Sequence, residues 1–220
     1  VPEMNLIKVY PNVLFQSFVG MGAALTEASG YVFAQMSAAD QARFIDLCFG
    51  ETKNRYSLAR LSIQSCDFSL GPRSYLSKRD ETLQSFSIAD DWGYVLPLAL
   101  SAQAANPSLQ FIASPWSPPA WAKTNRTMKR GGHLRRDAYN LWAHMIARTL
   151  QEYRNAGINI DRITVQNEPQ AAQTWESCLF SGKEEARFLH DSLKPALRDA
   201  SLSHVKTLIW DHNKESALER

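Results

Sequence analysis

The chain has 220 residues, of which 45% are hydrophobic and 21% charged, and its net charge is +2 at pH 7. This length suits one large domain or two small ones, and the composition is ordinary for a globular protein. The small net charge gives no electrostatic reason to expect a nucleic-acid or anionic-membrane partner. No run approaches the roughly 18 apolar residues that a membrane-spanning helix needs.

The N-terminus and the cysteines say little about the cellular compartment. The first residues, V-P-E-M-N-L-I-K, lack a basic start followed by an apolar core, so no signal peptide is visible. Because the chain does not begin with Met, one could have been removed, and the location stays open between cytoplasmic and secreted after processing. The cysteines and histidines show no disulfide or metal-ligand spacing, so we expect free, buried thiols and no metal or cofactor.

The first quarter of the chain predicts strands around one helix. Residues 1–15 show short apolar alternation and suggest edge strands that enter the domain from elsewhere. Residues 18–22 are short, apolar and broken by Gly, as expected for a first buried strand. Ser37 is typical of a helix N-cap, and the helix that it opens should end near Gly50. Its predicted inward residues are Phe44, Ile45, Leu47 and Cys48.

The middle of the chain alternates between strands and helices. A second strand is predicted at residues 58–65, a helix at 94–105, a third strand at 109–114 and an amphipathic helix at 137–156. Residues 115–135 form a long loop with three prolines, two tryptophans and a Gly-Gly pair. Loops of that length are more often functional than not.

The last third continues the same order. A fourth strand is predicted at residues 162–166, a capped helix at 181–200 with a kink at Pro195, and a fifth strand at 206–210, after which another helix should begin. Strands that alternate with helices indicate a parallel sheet with right-handed crossovers. A doubly wound sheet would carry a Gly-rich phosphate loop, and G-M-G-A-A-L lacks the third Gly of that fingerprint. A nucleotide-dependent α/β enzyme is therefore the weakest interpretation.

Polar or aromatic residues follow every predicted strand, which favours a (β/α)8 barrel because its chemistry lies at the carboxyl ends of the strands. These residues are Glu27, Asp67, Trp116, Asn167-Glu168 and Asp211-His212-Asn213. The stretch I-T-V-Q-N-E-P at 163–169 is the clearest case, since a β-branched strand ends there in a glutamate before a proline. The other interpretation of this stretch alone is a surface turn.

Four motifs at these strand ends resemble glycoside hydrolase family 30, the family of lysosomal glucosylceramidase and related bacterial β-glycosidases. They are G-M-G-A-A-L-T-E-A at 20–28, S-C-D-F-S at 65–69, A-S-P-W-S-P-P-A-W-A-K-T-N at 113–125 and V-Q-N-E-P at 165–169. W-D-H-N at 210–213 is a looser match. The motifs lie in family order over nearly the whole chain.

The resemblance implies a (β/α)8 barrel that carries a β-sandwich side domain, and a retaining hydrolysis of β-linked sugars by two glutamates. Residues 1–15 would then be the end of the N-terminal part of the side domain, and residues 16–220 would be strands one to five of the catalytic barrel. Glu168 falls on the family's acid/base, Asn167 on the contact to the sugar 2-hydroxyl, Asp67 on an acceptor for sugar hydroxyls and Trp116 on the pocket wall.

The chain departs from the family in one respect. The family's nucleophile is a second glutamate about a hundred residues beyond the acid/base, and the printed sequence ends at Arg220. We therefore expect a β-glycosidase portion that is inactive and poorly stable by itself, acting on a carbohydrate without cofactor. The alternative is a non-catalytic sugar-binding barrel fragment. Neither the sugar, the aglycone nor the oligomeric state is predicted.

The remaining strand-end and loop residues receive weaker expectations. Asp211, His212 and Asn213 are candidates for direct sugar contact, and Thr26 and Glu27 for hydrogen bonding behind the pocket. Trp121 is expected to pack in the loop rather than line the pocket. Residues 123–126 with 129–130 are expected to form a solvated basic loop.

Overall fold

A computed structural model of the chain describes residues 7–218. Within that range five strands form one sheet whose strand order follows the chain. They are β1 (Gly22–Ala24), β2 (Leu58–Ile63), β3 (Gln110–Pro115), β4 (Ile160–Thr164) and β5 (Lys206–Leu208). Every neighbouring pair is parallel. This confirms the predicted fold class of a partial (β/α)8 barrel, in which the sheet does not close on itself.

Helices cover one face of the sheet. They are α1 (Glu27–Gln35), α2 (Ala38–Phe49), α3 (Val95–Ala105), α4 (Tyr139–Asn155), α5 (Gly182–Phe188) and α6 (Lys194–Asp199). Ser37 caps α2 by accepting the Asp40 N–H at 3.2 Å, and Ser181 forms a capping box with Glu184 before α5. Both caps were predicted from the serine and the acidic residue three positions later.

The core lies between the sheet and the helices. Alternate residues of β2, namely Ala59, Leu61 and Ile63, are fully buried, as are Phe111 of β3 and Ile163 of β4. They join one cluster with apolar residues of α3 and α4. Because side chains alternate along a strand, the remaining residues of β2, including Arg60, point to the opposite face. That face would be the interior of a closed barrel.

The two outer strands and the N-terminal segment remain open. All three residues of β1 are exposed, and Leu208 of β5 is 37% exposed. Large apolar side chains of the segment before β1 are also exposed, with Leu14 and Phe15 at 87% each. Exposed sheet edges with adjacent apolar surface are features that proteins normally cover.

Several predicted elements differ from the structure. The first strand lies at Gly22–Ala24 and shares only Gly22 with the predicted residues 18–22, and the sequence does not predict α1. The Thr26 hydroxyl accepts the Ser29 N–H at 3.1 Å, so T-E-A-S-G begins a helix. Residues 7–15 contain no strand, and the rest of the predicted edge strands at residues 1–6 lie outside the described range.

Two helix details also differ. The predicted helix at 181–200 is interrupted by a π-turn at Leu189–Leu193, where the Lys194 N–H donates to the Leu189 carbonyl. Pro195 supplies no N–H for the usual ladder, which accounts for the interruption. In α2 the inward assignment of Leu47 is wrong, because that side chain is 44% exposed. The final predicted helix is a short 3-10 turn at Lys214–Ser216.

Candidate active site

The carboxyl ends of the strands bring polar groups to one edge of the sheet, because all five strands run in the same direction. Pairing continues past the strand ends there. The Asn167 N–H donates to the Pro115 carbonyl at 2.8 Å, and the Glu168 N–H donates to the Asp211 carbonyl at 2.8 Å. The segments that follow β3, β4 and β5 are thus held side by side where the sequence placed its candidate residues.

Arg60 of β2 is the centre of the hydrogen bonds at this edge. Its Nη2 donates to Asn167 Oδ1 at 2.8 Å and to Asp211 Oδ2 at 2.6 Å, and its Nε donates to Ser114 Oγ at 3.0 Å. Its guanidinium also lies 4.6 Å from the centre of the Trp116 ring. One cation therefore links residues from β2, β3 and the segments after β4 and β5, and it orients the amide of Asn167 through the amide oxygen.

Asp211 supplies the negative charge of this group, which we call the Arg60 cluster: Arg60, Ser114, Trp116, Asn167 and Asp211. Asp211 Oδ2 accepts from Ser114 Oγ at 3.1 Å as well as from Arg60. The side chains of Arg60 and Asp211 are 31% and 25% exposed, so the pair is partly shielded from water. Such charge-assisted hydrogen bonds hold side chains more firmly than neutral ones.

Glu168 lies beside the Arg60 cluster and remains available for chemistry. Its side chain is half-buried, and within residues 7–218 its carboxylate makes no hydrogen bond or ion pair. The backbone of Glu168 is left-handed, with φ of +44°. Non-glycine residues adopt that conformation at a cost, and such positions occur often at functional sites.

Gln166 stabilises the end of β4 through side-chain hydrogen bonds. It is completely buried, and its Nε2 donates to the carbonyls of Trp116 and Asn167 at 2.8 Å each. These two bonds tie the backbone of the loop after β3 to the backbone next to Glu168. The position of the candidate glutamate therefore depends on both neighbouring segments.

The other predicted binding residues do not join the Arg60 cluster through hydrogen bonds. Asp67 is exposed in a turn after β2, and within the described residues its carboxylate has no hydrogen-bond partner. The His212 ring lies 5.1 Å from the Trp210 ring, and its buried Nδ1 has no partner within residues 7–218. Asn213 is exposed, and its carbonyl accepts from Trp210 Nε1 at 2.8 Å.

The two tryptophans of the loop after β3 have different surroundings. Trp116 is half-buried against Arg60. Trp121 packs on the core, and its Nε1 donates to the Leu76 carbonyl at 2.9 Å. The packing expected for Trp121 is therefore present.

Lys123 corrects the prediction of a solvated basic loop. Its side chain is fully buried, and its Nζ donates to the carbonyls of Met128 and Ser177. Burial lowers the pKa of Lys123 to about 8. Arg126 and Arg130 of the same loop are exposed, so the prediction holds for them. Lys123 thus fastens the loop after β3 to the loop after β4.

Sequence reasoning missed Arg60 and Ser114. The available signal was the position of Arg60 in L-A-R-L-S-I, a strand whose alternate residues are apolar. An arginine on the inner face of a barrel strand needs an anionic or polar partner. The sequence could not say which strand would supply that partner.

Neither a metal site nor a membrane-spanning helix is found among residues 7–218. Within residues 7–218 no three His, Cys, Asp or Glu side chains are grouped in a way that would hold a metal ion. No helix in the same range has the length and hydropathy to cross a membrane. All three cysteines are free, and Cys66 and Cys178 are buried while Cys48 is half-buried.

Comparison with known proteins gives a consistent result. Residues 18–218 match the family model described as the glycosyl hydrolase family 30 TIM-barrel domain. The crystal structure of SrfJ from Salmonella typhimurium is 42% identical in sequence with a TM-score of 0.91, over 93% of this chain and 46% of that one. The endo-β-1,6-glucanase BT3312 is 30% identical with a TM-score of 0.86, over the same shares of the two chains.

A further relative is the lysosomal acid glucosylceramidase of Mus musculus. It is 27% identical over 220 residues, which are 95% of this chain and 42% of the mouse protein. The chain thus spans less than half the length of the relatives that it matches.

Proposed function

This chain belongs to glycosyl hydrolase family 30, and we propose that the complete protein is a retaining β-glycosidase in which Glu168 is the general acid/base. The observation that carries the proposal is the placement of Glu168. It follows β4 at the carboxyl edge of the sheet, is half-buried, has no hydrogen-bond partner among residues 7–218, and adjoins the Arg60 cluster. A proton donor must be within reach of the leaving oxygen and free of competing partners.

The reaction needs two carboxyl groups about 5–5.5 Å apart, one on each side of the reacting carbon. Glu168 protonates the oxygen of the departing group while the second carboxylate attacks the sugar. Glu168 then removes a proton from the water that releases the sugar with retained configuration. Asn167, held by Arg60 through its amide oxygen, presents its amide N–H groups to the sugar hydroxyl next to the reacting carbon.

The other site residues complete a sugar pocket in this proposal. Trp116 lines it with an apolar ring, and Asp67 accepts hydrogen bonds from sugar hydroxyls at the open end. Asp211 acts through Arg60, to which it is bound, and His212 and Asn213 contact the sugar from the segment after β5. The pocket takes a carbohydrate and needs no metal or cofactor.

The nucleophile is proposed to lie beyond Arg220. Two carboxylates at strand ends in the printed sequence are already committed, since Glu27 is bound to Arg73 and Asp211 to Arg60. Asp67 lies in an exposed turn. The relatives that this chain matches are more than twice as long as the matched part, which leaves room for later strands that bring a second glutamate. In the same proposal residues 1–15 belong to a side domain and residues 16–220 to the barrel.

Without a second carboxylate, the 220-residue chain is expected to hydrolyse glycosides poorly by itself. It is also expected to have low stability, because β1 and β5 are open edges of the sheet. Brisk turnover by the purified 220-residue chain would contradict this and would require a nucleophile within it. If the complete protein binds sugars but does not hydrolyse them, it is a binding module and not an enzyme.

The proposal is tested by replacing Glu168 with Gln in the complete protein and comparing aryl β-glycosides with good and poor leaving groups. Loss of general acid catalysis costs about 10²–10⁴-fold in rate, and it should fall mainly on poor leaving groups. Unchanged turnover of substrates with poor leaving groups would remove Glu168 from this role. The named relatives act on glucosylceramide and 1,6-β-glucan, so β-glucosides are the first substrates to test.

A further inference from the structure

The first and last residues of the loop after β2, residues 65–73, are hydrogen-bonded to each other. The Ser65 hydroxyl donates to the Arg73 carbonyl at 3.0 Å and accepts the Arg73 N–H at 3.0 Å. Within this loop, Cys66 and Ser69 close a tight turn, because the Ser69 N–H donates to the Cys66 carbonyl and the Cys66 N–H donates to the Ser69 hydroxyl, both at 3.0 Å. Asp67 is the second residue of that turn, and its side chain is exposed.

Glu27, the first residue of α1, holds the same loop from the side. It is buried, and its Oε2 accepts the Leu70 N–H at 3.0 Å and a hydrogen bond from Arg73 Nη1. The next residue of α1 contributes as well, since the Ala28 N–H donates to the Phe68 carbonyl at 2.9 Å. The start of α1 therefore contacts the loop at Phe68, within the turn that carries Asp67, and at Leu70 and Arg73, which follow that turn.

Arg73 connects this contact to a buried anchor. Its Nη2 donates to Asp91 Oδ1 at 2.6 Å, and Asp91 Oδ2 accepts from the hydroxyls of Tyr75 at 2.5 Å and Tyr153 at 2.8 Å. Asp91 is 1% exposed. Burial disfavours the charge of Arg73, but the hydrogen bond and charge of Asp91 outweigh it and raise the arginine pKa. Arg73 stays charged and bridges two buried carboxylates.

We propose that Arg73, bridging Glu27 and Asp91, is a positioning residue that fixes the loop of residues 65–73 and so sets the direction of the Asp67 carboxylate in the sugar pocket. This inference rests on the proposed function, in which Asp67 binds a sugar hydroxyl. A bound hydroxyl is stabilised only when the acceptor is held in place beforehand, because ordering a mobile loop on binding costs free energy. The buried Arg73 guanidinium holds the loop in place before binding, since it contacts Glu27 of α1 and Asp91 of a separate segment.

The test uses the complete protein and four variants: Arg73→Lys, Asp67→Ala, the double variant, and Arg79→Lys as control. Lysine keeps the charge but lacks the planar fork that reaches two carboxylates. Arg79 is a matched control because it also bridges two carboxylates, Glu81 and Asp137, on the surface and outside the loop. The readouts are KM and kcat for an aryl β-glucoside, together with the melting temperature.

We expect Arg73→Lys to lower kcat/KM by about tenfold, mainly through a higher KM, and Arg79→Lys to change it by less than about twofold. In the Asp67→Ala background, Arg73→Lys should have almost no further effect, because residues that act through one group are not additive. A role confined to fold stability would lower kcat/KM by the same factor in both backgrounds, and that result overturns the inference.

Two outcomes separate this inference from the proposed function. If Glu168→Gln leaves turnover intact, the proposed function fails. If Glu168→Gln abolishes turnover while Asp67→Ala leaves kcat/KM unchanged, the enzyme assignment stands and the inference about Arg73 is overturned. Should Arg73→Lys not fold, Glu27→Gln is the second variant, since it keeps the side-chain volume and removes the charge that Arg73 contacts. It should give the same dependence on Asp67.

Discussion

Replacing Arg60 with Met should disconnect the Arg60 cluster while leaving the strand in place. Met keeps the unbranched apolar stem of the side chain, but it cannot donate to Asn167, Asp211 or Ser114, which Arg60 contacts at 2.6–3.0 Å. Asp211 would lose its cation, and the amide of Asn167 would be free to turn over. The neighbouring Glu168 would keep its own backbone bond to the Asp211 carbonyl.

The size of the effect follows from these contacts. A hydrogen bond to a charged group contributes about 1.5–3 kcal/mol, and the 25–31% exposure of the pair places its contribution in the lower half of that range. The contact with the Trp116 ring adds about 0.5–1 kcal/mol. We therefore expect Arg60→Met to lower the free energy of unfolding by about 2–3 kcal/mol. A loosely held Asn167 should cost about 100-fold in kcat/KM, as displacements near 1 Å do in other enzymes.

The assay is hydrolysis of an aryl β-glucoside by the complete protein, with urea unfolding of the same samples. Arg162→Met is the control. Arg162 also lies on a strand, β4, and its Nη1 donates to Gln110 Oε1 of the neighbouring β3 at 2.6 Å, but it makes no hydrogen bond to the Arg60 cluster. The control should lose some stability and keep its kcat/KM within about threefold. If Arg60→Met and Arg162→Met lose activity equally, or if Arg60→Met keeps its activity, the positioning role of Arg60 is refuted.

Three further outcomes follow from buried groups. Because burial lowers the pKa of Lys123 to about 8 from 10.5, the unfolded chain binds more protons between those values. The stability of the wild type should therefore rise relative to Lys123→Met by up to about 1 kcal/mol per pH unit from pH 8 to pH 10, and parallel urea curves at each pH would contradict it. Burial raises the pKa of the Cys178 thiol to about 12, so iodoacetamide should leave this thiol unmodified at pH 8 until the protein unfolds. Rapid labelling of Cys178 in the folded protein, detected by mass spectrometry, would disprove this. A methyl group on Gly30 would lie 2.4 Å from the Tyr94 carbonyl oxygen, so Gly30→Ala should lower the free energy of unfolding by about 2 kcal/mol. Gly71→Ala is the control and should not lower it, because a methyl group there has nothing within 4 Å. Equal melting temperatures of the two variants would contradict the contact at Gly30.

The sequence predicted the order of the strands well, because apolar runs such as L-A-R-L-S-I and I-T-V are short and separated by clear helix caps. It did not predict α1. The segment T-E-A-S-G contains a glycine and little apolar periodicity, and the helix is held by the Thr26 cap and by packing of Gly30 on Tyr94. A local cap and a tertiary contact therefore form this helix, and the apolar pattern of the segment indicates neither.

The site shows the same division. Glu168, Asn167 and Trp116 follow strands and could be located from the strand ends alone. Arg60 precedes the end of its strand, and its partners lie 54 to 151 residues away in the chain. Lys123 looked solvated because polar residues follow it in the sequence, but its side chain is buried and its Nζ donates to Met128 of the same loop and to Ser177 after β4. Contacts between distant segments are what a pattern in a single sequence does not contain.

The most direct test of the central claim is the product that Glu168→Ala makes in the presence of azide, with an activated aryl β-glucoside as substrate. Without the acid/base, the complete protein should still form the glycosyl intermediate but release it slowly, since no group activates water. Azide needs no base, so it should restore turnover and yield the β-configured glycosyl azide. A variant that hydrolyses at the wild-type rate, or an azide product of α configuration, would contradict the assignment of Glu168.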